Sequence, residues 1–308
     1  MRLDATLAVL QGGGAAVQEN GGAEATPDLS AMLMHHLVDG HEIEVGFLGW
    51  QRTFHLPEWE PIHVGGLALD LSPTKHVVFM VATAILLLAV FIPIGRVVRG
   101  KYTDRAPSGF TNAMEAMVLF FRDEVVRRNI GHDGDVYTSF ILTLFFFILG
   151  MNLFGLMPFG ATATANLAVT GALAFTTFVV TEISGMRTLG FKGYMGTIFY
   201  APPGLSGVAK ALMLCVMTPV ELLGKLTKPF ALMIRLFANM TAGHTLVLSL
   251  IGMIFMFAHL TVGRFAIAGA SLSMVLAIML LELFVAFLQA FIFAMLSSVF
   301  IGLIRHAH

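Results

Sequence analysis

The spacing of charged residues along the chain separates long apolar runs from short polar connections. Residues 77–94 contain no Asp, Glu, Lys or Arg and are long enough to cross a bilayer as a helix. Residues 136–181 are also uncharged, but this run is too long for one crossing. A break at Met-Pro-Phe-Gly, 157–160, divides it, so we predict a helical hairpin over 136–157 and 164–183.

Residues 108–131 combine apolar and charged positions with the period of a helix. The apolar positions recur at intervals of three or four residues: Phe110, Met114, Met117, Phe121 and Val125. Glu115, Arg122, Asp123, Arg127 and Arg128 occupy the remaining positions. This pattern predicts an amphipathic helix that lies on the membrane surface and does not cross it.

Two long helices close the chain, over about 207–258 and 266–305, after a loop at 193–206. Both hold charged residues inside apolar sequence: Lys210, Glu221, Lys225, Lys228, Arg235 and Glu282. The predicted fold is therefore an all-α integral membrane protein. It has about five membrane helices, of which the last two are long and tilted, plus one amphipathic surface helix.

The first 75 residues differ from the rest in composition. They are Gly-rich at first and then mixed, and loosely alternating apolar positions at 55–57 and 62–71 suggest a short β-hairpin. We predict an extramembrane segment over 1–75, followed by a membrane domain over 76–308.

Composition agrees with a membrane protein and excludes several other classes. Charged residues make up 12% of the chain, whereas soluble domains have about 25%. The formal net charge of −1 gives no basic field for a nucleic acid. Cys215 is the only cysteine, and no histidine pair has metal-ligand spacing, so we expect no metal and no cofactor.

Basic residues predict the orientation in the membrane. Residues 96–128 carry seven Lys and Arg, whereas the turn at 158–163 carries none. Cytoplasmic loops are enriched in Lys and Arg, so 96–128, 184–206 and Arg305 are expected in the cytoplasm. Five crossings then place the N-terminus outside.

Arg235 is the charge that most needs an explanation. It lies in an apolar helix with no acid within one or two turns, and an Arg at mid-membrane costs about 2.5–3.5 kcal/mol on insertion scales. The alternative is that Arg235 extends to an interface. At 100° per residue, Glu221, Lys228, Arg235 and Asn239 fall within about 40° of one line, whereas His244 lies half a turn from Arg235.

The last two helices share a polar register if they pair antiparallel. With Arg235 level with Gln289, His244 lies within about 3 Å of the level of Glu282. One register thus predicts an Arg235–Gln289 contact and a His244–Glu282 contact. Both pairs could instead be hydrogen bonds that only hold the helices together.

Several motifs resemble subunit a of the F-type ATP synthases. They are Arg-Leu-Phe-Ala-Asn-Met at 235–240, Leu-Gln-Ala-Phe-Ile at 288–292, Met-Asn-Leu at 151–153, and Glu221 upstream. The resemblance extends over about 75–305. The His precedes the acid here, at 244 and 282, whereas many bacterial members have the opposite order, and the order found here resembles that of mitochondrial forms.

The resemblance implies a role for each matching residue. Arg235 would face a ring of c subunits with Gln289 as its partner. Asn239, His244 and Glu282 would belong to an outer half-channel, and Glu221 to an inner one. Asn152 and Asn166 are expected to form hydrogen bonds between helices or to line the outer path.

The implied function is that of a proton-translocating stator subunit, which is not itself an enzyme. Its expected partners are the c-subunit ring, b-type peripheral stalk subunits and the lipid bilayer. The expected location is the bacterial plasma (inner) membrane, with the mitochondrial inner membrane as an alternative. A secondary transporter or ion channel that acts alone is the competing hypothesis, although the sequence has no visible inverted repeat.

Overall fold

A computed structural model describes most of the chain as helix. It covers residues 40, 42–47, 50–57, 59, 62–64, 67–69, 72–101, 108–157, 162–199, 207–256 and 263–305. The α-helices are α1 (Lys75–Lys101), α2 (Phe110–Phe120), α3 (Arg128–Ile130), α4 (Thr138–Gly155), α5 (Leu167–Ile198), α6 (Val208–Met256) and α7 (Gly263–Arg305).

Five helices are long and apolar enough to cross a bilayer. They begin at Lys75, His132, Leu167, Lys210 and Phe265. This confirms the all-α membrane fold with five membrane helices. The two final helices agree with their predicted bounds to within about three residues, although α6 contains Pro219 and Pro229.

The predicted loop at 193–206 is partly wrong, because α5 continues to Ile198. The helix changes direction at Gly190, whose φ of 69° and ψ of 165° are not helical. A positive φ favours glycine, which lacks the Cβ that would clash with the backbone. Residues 191–198 therefore form a second helical stretch at an angle to the first, and residues 200–206 lie outside the described part.

The N-terminal region contains two short antiparallel hairpins among its described residues. In the first, strand β1 (Glu42–Phe47) pairs with β2 (Trp50–His55). In the second, β3 (Ile62–Val64) pairs with β4 (Leu67–Leu69), and this hairpin falls within the segment where the sequence pattern predicts one. Residues 1–39 lie outside the described part.

The apolar core lies between the last four long helices and the end of the amphipathic helix. Its fully buried members include Phe145, Ile148, Leu236, Phe293 and Ile301. In contrast, α1 is covered on one side only and exposes Val81, Ile85 and Leu88. These exposed apolar side chains suit a lipid environment, in which apolar surface carries no penalty.

The amphipathic helix is continuous from Phe110 to Ile130 but has a π-helical turn at Phe121–Arg127. A π turn weakens the regular backbone ladder, and here the Val125 carbonyl accepts hydrogen bonds from Asn129 Nδ2 at 2.7 Å and from Ser298 Oγ of α7 at 3.0 Å. Phe121 and Val125 are 2% exposed. The second half of this helix therefore packs on protein, while α2 has no buried residue.

The opposite face of this helix carries a chain of ion pairs. Arg127 binds Asp123 at 2.9 Å and Asp135 at 2.6 Å. Hydrogen bonds from Arg122 hold the pKa of the Asp123 carboxyl below its usual range. Such exposed pairs are worth little individually, and they lie on the face of the helix that points away from the core.

Many hydroxyl groups on the membrane helices donate to their own backbone four residues earlier. On α5, Thr176 donates to the Ala172 carbonyl at 2.8 Å and Thr181 to the Thr177 carbonyl at 2.8 Å. On α6, Ser249 donates to the Thr245 carbonyl at 2.6 Å. Each hydroxyl is thereby satisfied within its own helix.

Candidate functional site

Arg235 lies on α6, in the part that packs near α7. Its side chain is half-buried, and it has no hydrogen bond, ion pair or ring contact within the described part of the chain. No acidic residue lies within two helical turns of Arg235 on either side. The guanidinium is always charged, so it needs a partner of opposite charge or water, and the described residues provide no counter-ion.

His244 and Glu282 come together as the antiparallel register predicts. Their side chains approach to 3.7 Å between His244 Nε2 and Glu282 Oε1. Glu282 is 6% exposed, and its Oε1 has no hydrogen-bond partner. Thr162, in the turn between α4 and α5, contacts His244 Nε2 through its hydroxyl. Thr162 is a site residue that the sequence pattern did not indicate, because it lies far from His244 in the sequence, in the turn between α4 and α5.

Gln289 makes a different contact from the one predicted. Its Oε1 accepts a hydrogen bond from Asn239 Nδ2 at 3.1 Å, and no hydrogen bond joins it to Arg235 within the described residues. Asn239 lies four residues after Arg235, on nearly the same side of α6. Gln289 is 2% exposed, and its Nε2 has no hydrogen-bond partner within the described part of the chain.

The two asparagines have separate roles. Asn152 is fully buried and joins three elements: its Nδ2 donates to the Ala286 carbonyl of α7 at 3.2 Å, and its Oδ1 accepts from Thr164 at 2.7 Å. It is an interhelical hydrogen bonder, as expected. Asn166 caps α5, since its Oδ1 accepts from the Ala168 backbone N–H at 2.8 Å, which is the usual bond of an N-cap residue.

Glu221 lies about 14 residues before Arg235 on α6 and borders a cavity of about 100 Å³ between α5, α6 and α7. The same cavity is lined by Glu182, Lys225 and Lys228. Glu182 on α5 was not singled out from the sequence, because it directly follows the uncharged run and resembles an ordinary helix-end charge. Its position in the cavity became evident only from the packing of α5 on α6.

Known proteins resemble the chain over most of its length. Residues 77–302 match the family described as ATP synthase A chain. The chain belongs to this family. It is 45% identical over 88% of its length to ATP synthase subunit a of Chloroherpeton thalassium (strain ATCC 35110 / GB-78), covering 75% of that protein.

Two other relatives bear the same name. ATP synthase subunit a of Anaeromyxobacter dehalogenans (strain 2CP-C) is 44% identical over 99% of the chain and 77% of the relative. That of Myxococcus xanthus (strain DK1622) is 44% identical over 85% of the chain and 88% of the relative. As a member of the ATP synthase A chain family, the chain is a multi-pass, non-catalytic membrane subunit of a proton-transporting ATP synthase.

Proposed function

We propose that the chain is the stator subunit that provides two half-channels for protons, which load and unload carboxylates on a rotating ring of c subunits. The observation that carries this proposal is Arg235, a permanent charge with no counter-ion among the described residues. A charge of this kind in a membrane helix is stable if it faces a mobile partner of opposite charge. A carboxylate on a neighbouring rotor subunit supplies that partner.

The outer half-channel would pass His244 and Glu282. These two titratable side chains lie 3.7 Å apart between α6 and α7, about 13.5 Å along the helix from Arg235. The unsatisfied Glu282 Oε1 is open to a water or to a proton donor. Asn239 and Gln289, which bond to each other, would line the path between this pair and Arg235.

The inner half-channel would pass Glu221 and the cavity beside it. Glu221 lies about 21 Å from Arg235 along α6, towards the start of the helix, whereas His244 lies towards its end. The cavity of about 100 Å³ has room for a few water molecules, each of which occupies about 30 Å³ in the liquid. Water and a carboxylate at this end would accept protons that leave the rotor.

Arg235 would separate the two paths and drive the exchange. A rotor carboxylate has to be neutral to cross lipid, because a bare charge there is costly. When it reaches Arg235, the guanidinium stabilises its charged form and promotes release of its proton. The positive charge also repels protons and prevents direct flow between the half-channels. Each proton moved through the membrane potential contributes about 2.3 kcal/mol per 100 mV.

The proposal includes partners and a location. The ring of c subunits would contact α6 and α7 at Arg235, and b-type peripheral stalk subunits would hold the chain still. The membrane is the bacterial plasma (inner) membrane, with the N-terminus outside and the C-terminus in the cytoplasm. Seven Lys and Arg over 96–128 support this orientation.

Arg235→Ala is the decisive test. In membranes that contain the assembled complex, proton-driven ATP synthesis should be abolished, while the amount of assembled complex stays unchanged. Arg187→Ala, which removes an exposed Arg from α5, is the matched control and should retain synthesis. Near-normal synthesis by Arg235→Ala would contradict the proposal.

The competing function is that of a transporter or channel which acts alone. The two functions differ in purification and reconstitution. A stator subunit copurifies with a ring of small hairpin proteins and does not transport by itself. Ion transport by the isolated chain in vesicles would favour the competing function.

A further inference from the structure

The cavity beside Glu221 contains an ion pair that the proposed proton path does not use. Lys225 Nζ of α6 lies 3.4 Å from Glu182 Oε2 of α5. The two side chains are 10% and 12% exposed. A pair this well covered is held in place by its surroundings, unlike the exposed pairs on the amphipathic helix.

Tyr194 completes the arrangement around Lys225. Its hydroxyl donates a hydrogen bond to the same Glu182 Oε2, and the Lys225 ammonium lies 4.3 Å from the centre of the Tyr194 ring. The ammonium is thus attracted by a carboxylate and by the negative face of an aromatic ring. Both attractions draw Lys225 towards α5.

Lys225 does not pair with the acid that lies one turn before it on α6. Glu221 and Lys225 are four residues apart, with the acid first, which is the favourable order for an ion pair on one helix. No such pair forms in the described structure: Glu221 is exposed, and neither a hydrogen bond nor an ion pair joins it to a described residue. The cross-helix pair with Glu182 has replaced the local one.

The break at Gly190 makes this arrangement possible. Tyr194 is twelve residues after Glu182, which would separate them by about 18 Å along a straight helix. The turn at Gly190 brings Tyr194 back to Glu182. The second stretch of α5 therefore serves to close one side of the cavity around the ion pair.

We propose that Glu182, supported by Tyr194, is a positioning residue that holds Lys225 away from Glu221 and so leaves the Glu221 carboxylate free to bind and release protons. This inference rests on the proposed inner half-channel through Glu221. An ammonium bound to Glu221 would have to be displaced each time the carboxylate takes up a proton. Glu182 removes that competition by binding the ammonium permanently.

The charges around the cavity support this division of roles. The charged residues that line the cavity are Glu182 of α5 and Glu221, Lys225 and Lys228 of α6. The side chains that α7 contributes are apolar. Lys228 lies 5.7 Å from the centre of the Phe300 ring of α7, directed towards the third helix. With Lys225 paired to Glu182, Glu221 is the acid of the cavity that has no cation bound to it in the described structure.

The test measures ATP-driven proton pumping in inverted vesicles that contain the assembled complex. Glu182→Gln should slow pumping about twofold, the effect of an i,i+4 ion pair of about 0.5 kcal/mol forming between Lys225 and Glu221. The double variant Glu182→Gln with Lys225→Gln should recover most of the rate, because the competing cation is then absent. Glu124→Gln, an exposed acid on the amphipathic helix, is the control and should pump normally.

The outcomes separate this inference from the proposed function. If Glu182→Gln pumps normally, or if the double variant is as slow as the single one, the inference is wrong. If Glu221→Gln pumps normally, the inner half-channel itself is wrong, whatever the Glu182 variants do. Should Glu182→Gln fail to assemble, Tyr194→Phe provides the milder change. It should slow pumping in a way that Lys225→Gln relieves, and lack of relief would overturn the inference.

Discussion

Gly243 lies against the carboxylate of Glu282 with no room for a side chain between them. A Cβ at position 243 would be 2.7 Å from Glu282 Oε1 and 2.9 Å from its Cδ. The absence of a side chain on α6 is therefore what allows the Glu282 carboxylate of α7 to reach the neighbouring His244. This contact explains a glycine next to a proposed channel histidine.

Gly243→Ala should displace the Glu282 carboxylate and weaken its contact with His244. Proton pumping should fall several-fold while the complex still assembles, since one methyl group forces a side-chain shift but leaves the helix intact. Gly224→Ala is the control on the same helix, because a Cβ there meets nothing within 4 Å. Equal pumping by both variants would show that the Glu282 position does not matter.

His244 and Glu282 should behave as a single unit in proton transport. Replacing either by an apolar residue should slow pumping, and exchanging them, His244→Glu with Glu282→His, should restore much of the rate. The same two groups would then occupy the same place, whereas independent sites give additive losses. Pumping in inverted vesicles by both singles and the exchange decides this. An exchanged protein as slow as the sum of the singles would separate the two residues.

Arg235→Lys should lose nearly as much ATP synthesis as Arg235→Ala. A lysine keeps the charge but is a compact, strongly hydrated ammonium without the planar fork that binds a carboxylate through two hydrogen bonds. ATP synthesis in membranes with equal amounts of assembled complex is the measurement. Synthesis above half of the normal rate would mean that charge alone is sufficient at this position.

The amphipathic helix should be accessible from the cytoplasm only. In a Cys215→Ser background, Arg128→Cys should react with an impermeant thiol reagent added on the cytoplasmic side. Arg128 is 76% exposed on its side chain, and Cys215 is an exposed thiol that has to be removed first. Labelling from the outside would reverse the proposed orientation.

Charge spacing and helix geometry account for much of what the sequence could predict. The membrane helices follow from long uncharged runs, because exposing so many apolar side chains to water is unfavourable. The thickness of the lipid also sets a minimum length for each crossing. The His244–Glu282 contact follows from the helix rise once an antiparallel register with Arg235 level with Gln289 is assumed. Among the described residues Asn239, four residues after Arg235, is the side chain that donates to the Gln289 amide oxygen, and the proposed pairing of Arg235 with Gln289 stays a prediction.

The features that the sequence did not reveal depend on packing between distant segments. Glu182 has its partner 43 residues away on another helix, and no local pattern connects the two. Gly190 is one of 31 glycines, so its positive φ is not visible without the backbone. Within the π turn at Phe121–Arg127, the Val125 carbonyl accepts a hydrogen bond from Ser298 of α7, a distant partner that no local pattern indicates.

The hydroxyl groups that bond within their own helices bear on how the protein is made. A newly synthesised helix such as α5 enters the membrane before its later neighbours α6 and α7 exist. Thr176 and Thr181 donate to the backbone of their own helix. Neither hydroxyl is therefore left unsatisfied in lipid before the later helices have been synthesised. Assembly of the bundle can then proceed in the order of translation, with the buried Asn152 as a polar group that is completed only when Ala286 of the last helix arrives.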